Sequence, residues 1–199
     1  MKPAEQRVLA GVRAELGRVV RYDDESIVHD VWIHQRYDCG CFPGLRAARK
    51  ATVDTAWHEA GHAVAAIAVG ASFSSVSIHH ACGRDGRVHR IRGADDLAFV
   101  VDAAGQIAEQ LRTWTVFERD DELLAWLPTW RRDGGDARRF RQALTSRFGT
   151  GHRAECAAWR FSEKLLTPHR LAIREVARAL LVHPRYLPYG VVASIVTGG

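Results

Sequence analysis

Apolar side chains recur at helical spacing near the N-terminus of the chain. Between Pro3 and about Val20 they fall near one face of a helix, at Val8, Leu9, Val12, Leu16 and Val19. The pattern breaks from Asp23 to Gly44, where the run CGCFPG is typical of a turn. We therefore predict an N-terminal helix and a turn-rich connector over residues 1–50, followed by a main domain over residues 51–199.

The main domain begins with small and apolar residues that predict a helix from about Thr52 to Val69, with Gly70 ending it. Two alternating segments follow, SFSSVSIHHA and RVHRIR, and the turn Gly83 to Gly86 between them predicts a β-hairpin. Helical spacing returns in four later segments: Leu97 to Trp114, Asp136 to Phe148, Ala154 to Thr167 and Pro168 to His183. The predicted fold class is α+β, predominantly α-helical, with one small sheet.

The composition is that of a folded domain. The chain has 199 residues, of which 47% are apolar, enough for a hydrophobic core. Its longest uncharged stretch, Ala63 to Ile78, is shorter than the roughly 18 to 20 apolar residues that span a bilayer. The N-terminal segment also lacks the apolar core and cleavage site of a secretory signal. We therefore expect a cytoplasmic protein without a membrane segment.

The cysteine spacing does not match a zinc ribbon. Four cysteines occur without a C-x-x-C pair, at Cys39, Cys41, Cys82 and Cys156. Free thiols are the expected state in the cytoplasm. The alternative is a second metal site in which Cys39 and Cys41 act with His29 and His34.

The net charge of +5 comes mostly from arginine, which supplies 25 of the 28 basic residues. The densest arginine patch runs from Trp130 to Gly149 and would be the place for phosphate contacts. Charge runs of this kind usually form a solvated helix face. We therefore favour a solvated face and do not expect nucleic acid as a partner.

The stretch TAWHEAGHAV carries the chemistry that the composition does not explain. His58 and His62 are four residues apart, so on a helix both imidazoles project from the same face and can share one ion. This is the H-E-x-x-H arrangement, in which zinc takes two nitrogen ligands and Glu59 acts as the base on a water molecule. Spacing leaves the third ligand open among several residues: His79, His80, His89, Cys39, Cys41, Asp102 and Asp136.

The run TAWHEAGHAVAAIAVGASFSSVSI resembles the zinc-peptidase domain of the FtsH-type membrane AAA proteases, in which a HEAGHA helix precedes a short edge strand. Three later runs are similar to that domain: VVDAAGQIAEQL, GGDARRFRQALTSRFG and the closing segment from Glu163 to Val196. The resemblance covers about residues 51–196. It implies that Asp136 is the third zinc ligand, beside His58 and His62, and that Glu59 is catalytic.

The chain departs from the family pattern in several places. The double glycine of the family is Ala104-Gly105 here, and the tryptophan-rich stretch before Asp136 is longer. No P-loop motif is present, so these 199 residues do not bind ATP in that manner. The resemblance thus implies a peptidase domain standing alone, with a separate ATPase as a partner that would deliver substrates.

We therefore expect a zinc metalloendopeptidase that acts on peptides or unfolded proteins without ATP. A substrate would pair as an extra strand with an edge near Ser72 to His79. Trp114, Trp126 and Trp130 belong either to a substrate pocket or, more often for aromatic residues, to the core. Two alternatives stay open: a catalytically inactive or regulatory protein- or nucleic-acid-binding module that retains a zinc site, and an amidohydrolase such as a deformylase.

Overall fold

The computed structural model describes residues 1–19, 45–78, 86–130, 135–145, 149–183 and 186–198. The helices in these ranges are α1 (Pro3–Val19), α2 (Leu45–Ala68), α3 (Ala98–Thr113), α4 (Asp120–Trp130), α5 (Gly135–Thr145), α6 (His152–Leu166), α7 (Arg170–Val182) and α8 (Tyr189–Thr197). The strands are β1 (Ser75–Ser77), β2 (Arg87–His89) and β3 (Leu187–Pro188). Among the described helices, none is long and apolar enough to cross a membrane. The prediction of a mainly helical α+β fold is confirmed.

The N-terminal helix packs onto the main body. Leu9 and Val12 are buried, and they belong to the same apolar core as the later helices. Helix α1 contacts α7 and α8, and Glu5 approaches the first turn of α8 at Gly190. Helix α2 begins at Leu45, seven residues before the predicted start of that helix, so the domain boundary predicted between residues 50 and 51 lies inside a helix.

Within the described residues, three antiparallel strands form a sheet in the order β2-β1-β3. Val76 of β1 pairs with Val88 of β2 on one side and with Leu187 of β3 on the other. The predicted β1–β2 pairing is therefore confirmed, whereas the expectation of an edge strand near Ser72 to His79 is wrong. β1 is central because it pairs with both β2 and β3, and the prediction failed because the two residues of β3 were assigned to the closing helices. The edge of the sheet beside α2 is β2, which also contacts that helix.

Helices α2 and α3 pack together at very short range. Added to Gly61, a Cβ atom would lie 2.6 Å from the Cβ of Ala108 and closer still to the carbonyl oxygen of Ala104. Alanine costs about 1 kcal/mol less than glycine inside a helix, so the glycine is explained by this contact. The close approach brings the backbone and side chains of α3 against the H-E-x-x-H motif.

An aromatic cluster fills the space between α4, α5 and α6. The ring centroids of Trp126 and Trp130 both lie about 5 Å from that of Trp159, and Trp130 lies 5.3 Å from Phe140. Helix α4 was not predicted, because Pro128 lies within it and proline usually breaks a helical pattern. Its acidic first turn and the buried Leu123, Leu127 and Trp130 at helical spacing are the signals that could have identified it.

Candidate metal centre

Helix α2 projects His58 and His62 to the same side, as their spacing predicts. The two Nε2 atoms lie 3.0 Å apart, and the ring planes meet edge to face. The His62 side chain is 9% exposed and that of His58 25% exposed, so the pair is shielded without being sealed. Both side chains line one cavity, from which an ion can reach them.

Asp136 completes a set of three converging atoms. It is the second residue of α5, and its Oδ2 atom lies 3.0 Å from Nε2 of His58 and 3.4 Å from Nε2 of His62. Ligand atoms about 2.0 to 2.1 Å from a tetrahedral zinc ion are separated by roughly 3.4 Å. Two imidazoles and one carboxylate at these separations fit such an ion, and they form the one group of this kind among the described residues.

Both histidines are held at the nitrogen that faces away from this point. The Nδ1 atom of His58 lies 2.7 Å from Oε1 of Glu109, and Nδ1 of His62 lies 2.6 Å from the carbonyl oxygen of Val101. When each Nδ1 donates its proton, each Nε2 presents a lone pair towards Asp136. The partners of His58 and His62 come from α3, so helix packing fixes the tautomers that a metal requires.

The electrostatics of the cluster favour a positive charge at the point of convergence. Burial lowers the pKa of His58, but the hydrogen bonds to Asp136 and Glu109 outweigh it and raise that pKa to about 10. Burial raises the pKa of Asp136, yet the hydrogen bonds with His58 and His62 hold it well below its usual range. These contacts favour a proton on His58, which a divalent cation would have to displace.

Glu59 lies next to His58 in the sequence and is buried. It lines the same cavity as His58, His62 and Asp136. Gly86 packs against it so closely that a Cβ atom there would lie 2.5 Å from Cγ of Glu59. A carboxylate in this position can take a proton from a water molecule held near the three converging atoms.

Gly105 gives His58 the room it needs. Its α-carbon lies against the imidazole, and an added Cβ atom would come within 2.5 Å of both Cε1 and Nε2 of His58. The sequence showed Ala104-Gly105 only as a departure from a double glycine. The structure gives the second glycine a specific reason.

Arg139 and Asp102 form a second layer that sequence reasoning missed. Arg139 makes an ion pair with Oδ1 of Asp136, and its Nε donates to Oδ1 of Asp102 at 2.9 Å. Burial raises the pKa of Asp102, and the contact with Arg139 partly offsets this. Asp102, considered above as a zinc ligand, thus holds Arg139 instead of joining the converging atoms. Asp102 and Arg139 are 37 residues apart and lie on different helices, so no local sequence pattern links them.

A cavity of about 970 Å³ opens in front of the cluster. One wall is a continuous run from Gly86 to Ile91, which contains the edge strand β2. The lining also includes Asp102, Gln106 and Glu109 of α3. The cavity is large enough for several residues of a peptide.

The remaining sequence candidates lie elsewhere. His89 lies in the cavity wall, with Nε2 3.2 Å from the Ser77 hydroxyl, and it does not join the ligand set. Trp126 and Trp130 are in the aromatic cluster, which supports the core interpretation, although Trp130 also reaches the cavity. Trp114 is 69% exposed and lies under the guanidinium of Arg170. Several further candidates fall outside the described residues: His29, His34, Cys39, Cys41, His79, His80 and Cys82.

Comparison of the chain with family models, with curated proteins and with solved structures found no match.

Proposed function

We propose that the protein is a zinc-dependent metalloendopeptidase that hydrolyses peptides or unfolded proteins and needs no ATP for the chemical step. The observation that carries this proposal is the convergence of His58, His62 and Asp136 within one cavity that also contains the buried Glu59. Three protein ligands and an accessible fourth side are typical of catalytic zinc, whereas structural zinc has four protein ligands. The donor set therefore supports hydrolysis over a purely structural site.

His58, His62 and Asp136 would hold the zinc ion. When bound, zinc supplies Lewis-acid chemistry, which lowers the pKa of water and polarises an amide carbonyl. Glu59 would accept the proton of the attacking water on its carboxylate and pass it to the nitrogen of the leaving amine. Glu109 and the Val101 carbonyl would keep both imidazoles in the required orientation throughout.

The substrate would lie along β2. This strand forms the edge of the sheet, and a continuous run of its residues faces the cavity that contains Glu59. An extended peptide that pairs with such an edge gains main-chain hydrogen bonds with little dependence on its sequence. Strand addition at β2 would place a peptide bond of the substrate next to the metal ligands, a role for which the central strand β1 is unsuited.

Membership of the FtsH-type peptidase family is part of the same proposal. It is supported by the order of the site residues along the chain and by the placement of Asp136 at the start of a helix. Since the 199 residues contain no P-loop, a separate ATPase is proposed as the partner that would unfold larger substrates. A cytoplasmic location is proposed because the longest uncharged stretch, Ala63 to Ile78, is too short to span a bilayer.

The test measures zinc content and hydrolysis of an unfolded protein for the wild type and for Glu59→Gln. We expect Glu59→Gln to retain zinc and to lose hydrolysis, because the amide keeps the shape of the side chain and removes the base. Glu122→Gln makes the same chemical change in the exposed first turn of α4 and should hydrolyse the substrate at the wild-type rate. Equal hydrolysis by wild type and Glu59→Gln would refute the mechanism. A wild type that binds zinc and cleaves nothing would instead support the regulatory module.

A further inference from the structure

Two arginines on the wall of the cavity carry charges that the described structure does not neutralise. Arg87 and Arg90 belong to the β2 run that faces the cavity, and both are exposed. Neither has a hydrogen-bonding or ion-pairing partner for its side chain among the residues that the structure describes. Arg90 also has a positive φ of 58°, which interrupts the regular strand at that residue.

Three of the acidic groups that line the cavity are, by contrast, already paired with neighbouring side chains. Asp54 makes an ion pair with Arg112 of α3, and Asp102 accepts from Arg139. Glu109 contacts the imidazole of His58. These contacts pair the acidic side chains with cationic groups on the α2 and α3 side of the cavity, whereas the positive charges of Arg87 and Arg90 on the β2 wall stay accessible to a ligand.

The environment of His89 is consistent with an excess of positive charge on the β2 wall. His89 lies between the two arginines on the chain, and burial together with the charges of Arg87 and Arg90 lowers its pKa. A neutral imidazole flanked by two guanidinium groups leaves the wall able to bind anions at neutral pH. Guanidinium groups favour carboxylates because they can donate two parallel hydrogen bonds.

We infer that the cavity prefers peptide substrates carrying glutamate or aspartate near the cleaved bond, with Arg87 and Arg90 binding the carboxylates. This inference rests on the proposed function, because it assumes that the peptide lies along β2. Arg87 and Arg90 are three positions apart, about 10 Å along an extended strand, so they contact different positions of the peptide. An exposed ion pair changes a binding equilibrium by a factor of about 1.5 to 5. Two such contacts would therefore change the binding of an acidic peptide by about 2- to 25-fold.

The experiment uses three matched peptides of equal length that carry glutamate, glutamine or lysine at the same positions. We expect zinc-loaded wild type to cleave the glutamate peptide with the highest kcat/KM and the lysine peptide with the lowest. The double variant Arg87→Gln/Arg90→Gln should bring the ratio of glutamate to glutamine peptides close to one. Higher salt should also reduce the wild-type ratio, because exposed ion pairs are screened.

Arg92→Gln is the matched control. Arg92 is exposed and follows β2 on the same segment, but it does not line the cavity. Its replacement lowers the net charge by one and should leave the peptide preference unchanged. Loss of the preference in this variant as well would show that overall charge sets it and would overturn the assignment to Arg87 and Arg90.

Failure of this inference is distinguishable from failure of the proposed function. Glu59-dependent cleavage of the glutamate and glutamine peptides at equal rates would overturn the acidic preference alone. Absence of Glu59-dependent cleavage of any peptide would overturn the proposed function. Binding of labelled peptides to zinc-loaded Glu59→Gln, measured by fluorescence anisotropy, then tests directly whether the cavity wall prefers acidic peptides. Equal binding of the glutamate and glutamine peptides, or no binding of either, would refute the acidic preference.

Discussion

Replacing Gly105 with alanine should separate metal binding from fold stability. The added Cβ atom would lie 2.5 Å from Cε1 and Nε2 of His58, whereas carbon atoms in contact normally lie about 3.5 to 4.0 Å apart. The imidazole must therefore move by roughly 1 Å. Its Nδ1 is held by Glu109 on the same helix, so the movement carries Nε2 away from His62 and Asp136.

The magnitude follows from two opposing terms. Alanine in place of glycine favours a helix by about 1 kcal/mol, and overpacking costs about 1 to 3 kcal/mol, so the metal-free protein should lose at most about 2 kcal/mol. Disturbing the orientation of a metal-binding histidine costs about 10- to 100-fold in affinity, which corresponds to about 1.4 to 2.8 kcal/mol. We expect zinc affinity to fall by at least tenfold while the metal-free protein stays folded.

The assay combines a zinc competition titration with urea unfolding in the presence of a chelator. Gly11→Ala is the control inside a helix, because its Cβ would meet the His183 ring at an ordinary 3.5 Å, and it should bind zinc as the wild type does. Gly61→Ala is the contrasting variant, since its Cβ would meet the backbone of α3, which cannot rotate away. Wild-type zinc affinity in Gly105→Ala would refute the argument that this glycine makes room for His58.

Three further predictions concern the layers around the site. Arg139→Gln should weaken zinc binding about tenfold by releasing Oδ1 of Asp136, whereas Arg138→Gln, on the exposed side of the same helix, should not change it in a competition titration. Trp159→Ala should lower the free energy of unfolding by about 3 to 5 kcal/mol in urea, because the ring is fully buried, whereas Trp114→Ala should cost less than about 1 kcal/mol. Because the pKa of His58 is raised to about 10, zinc must displace its proton at neutral pH, so affinity should rise up to tenfold per pH unit between about pH 6 and 8. A pH-independent affinity would contradict that protonation state.

Helix α2 and its candidate metal ligands could be predicted from the sequence because the information is local. A spacing of four residues places His58 and His62 on one face of any helix, and Glu59 comes with the motif. Asp136 is different: it is 78 positions from His58, and no periodicity joins the two. Only the resemblance singled it out, and the packing of α5 against α3 brings it to the histidines.

The errors have equally specific causes. β3 consists of two residues, Leu187 and Pro188, too short to produce an alternating pattern, and missing it made β1 look like an edge. Arg139 and Asp102 are charged residues at helix positions, a combination that normally indicates a solvated surface. Their role depends on which helices pack together, so no local pattern carries it.

The close packing of α2 against α3 is the feature on which both the fold and the proposed chemistry depend. Because Gly61 has no side chain, α3 lies near enough for the Val101 carbonyl and the Glu109 carboxylate to reach the two Nδ1 atoms. A wider separation would leave both histidines free to rotate, and the Nε2 atoms would no longer converge. Zinc binding would in turn join α2 to α5 through Asp136, so it should stabilise the folded chain by about 2.7 kcal/mol when free zinc is 100 times its dissociation constant. The α2–α3 contact thus orients the ligands, and the metal would stabilise the fold by holding α5 to α2.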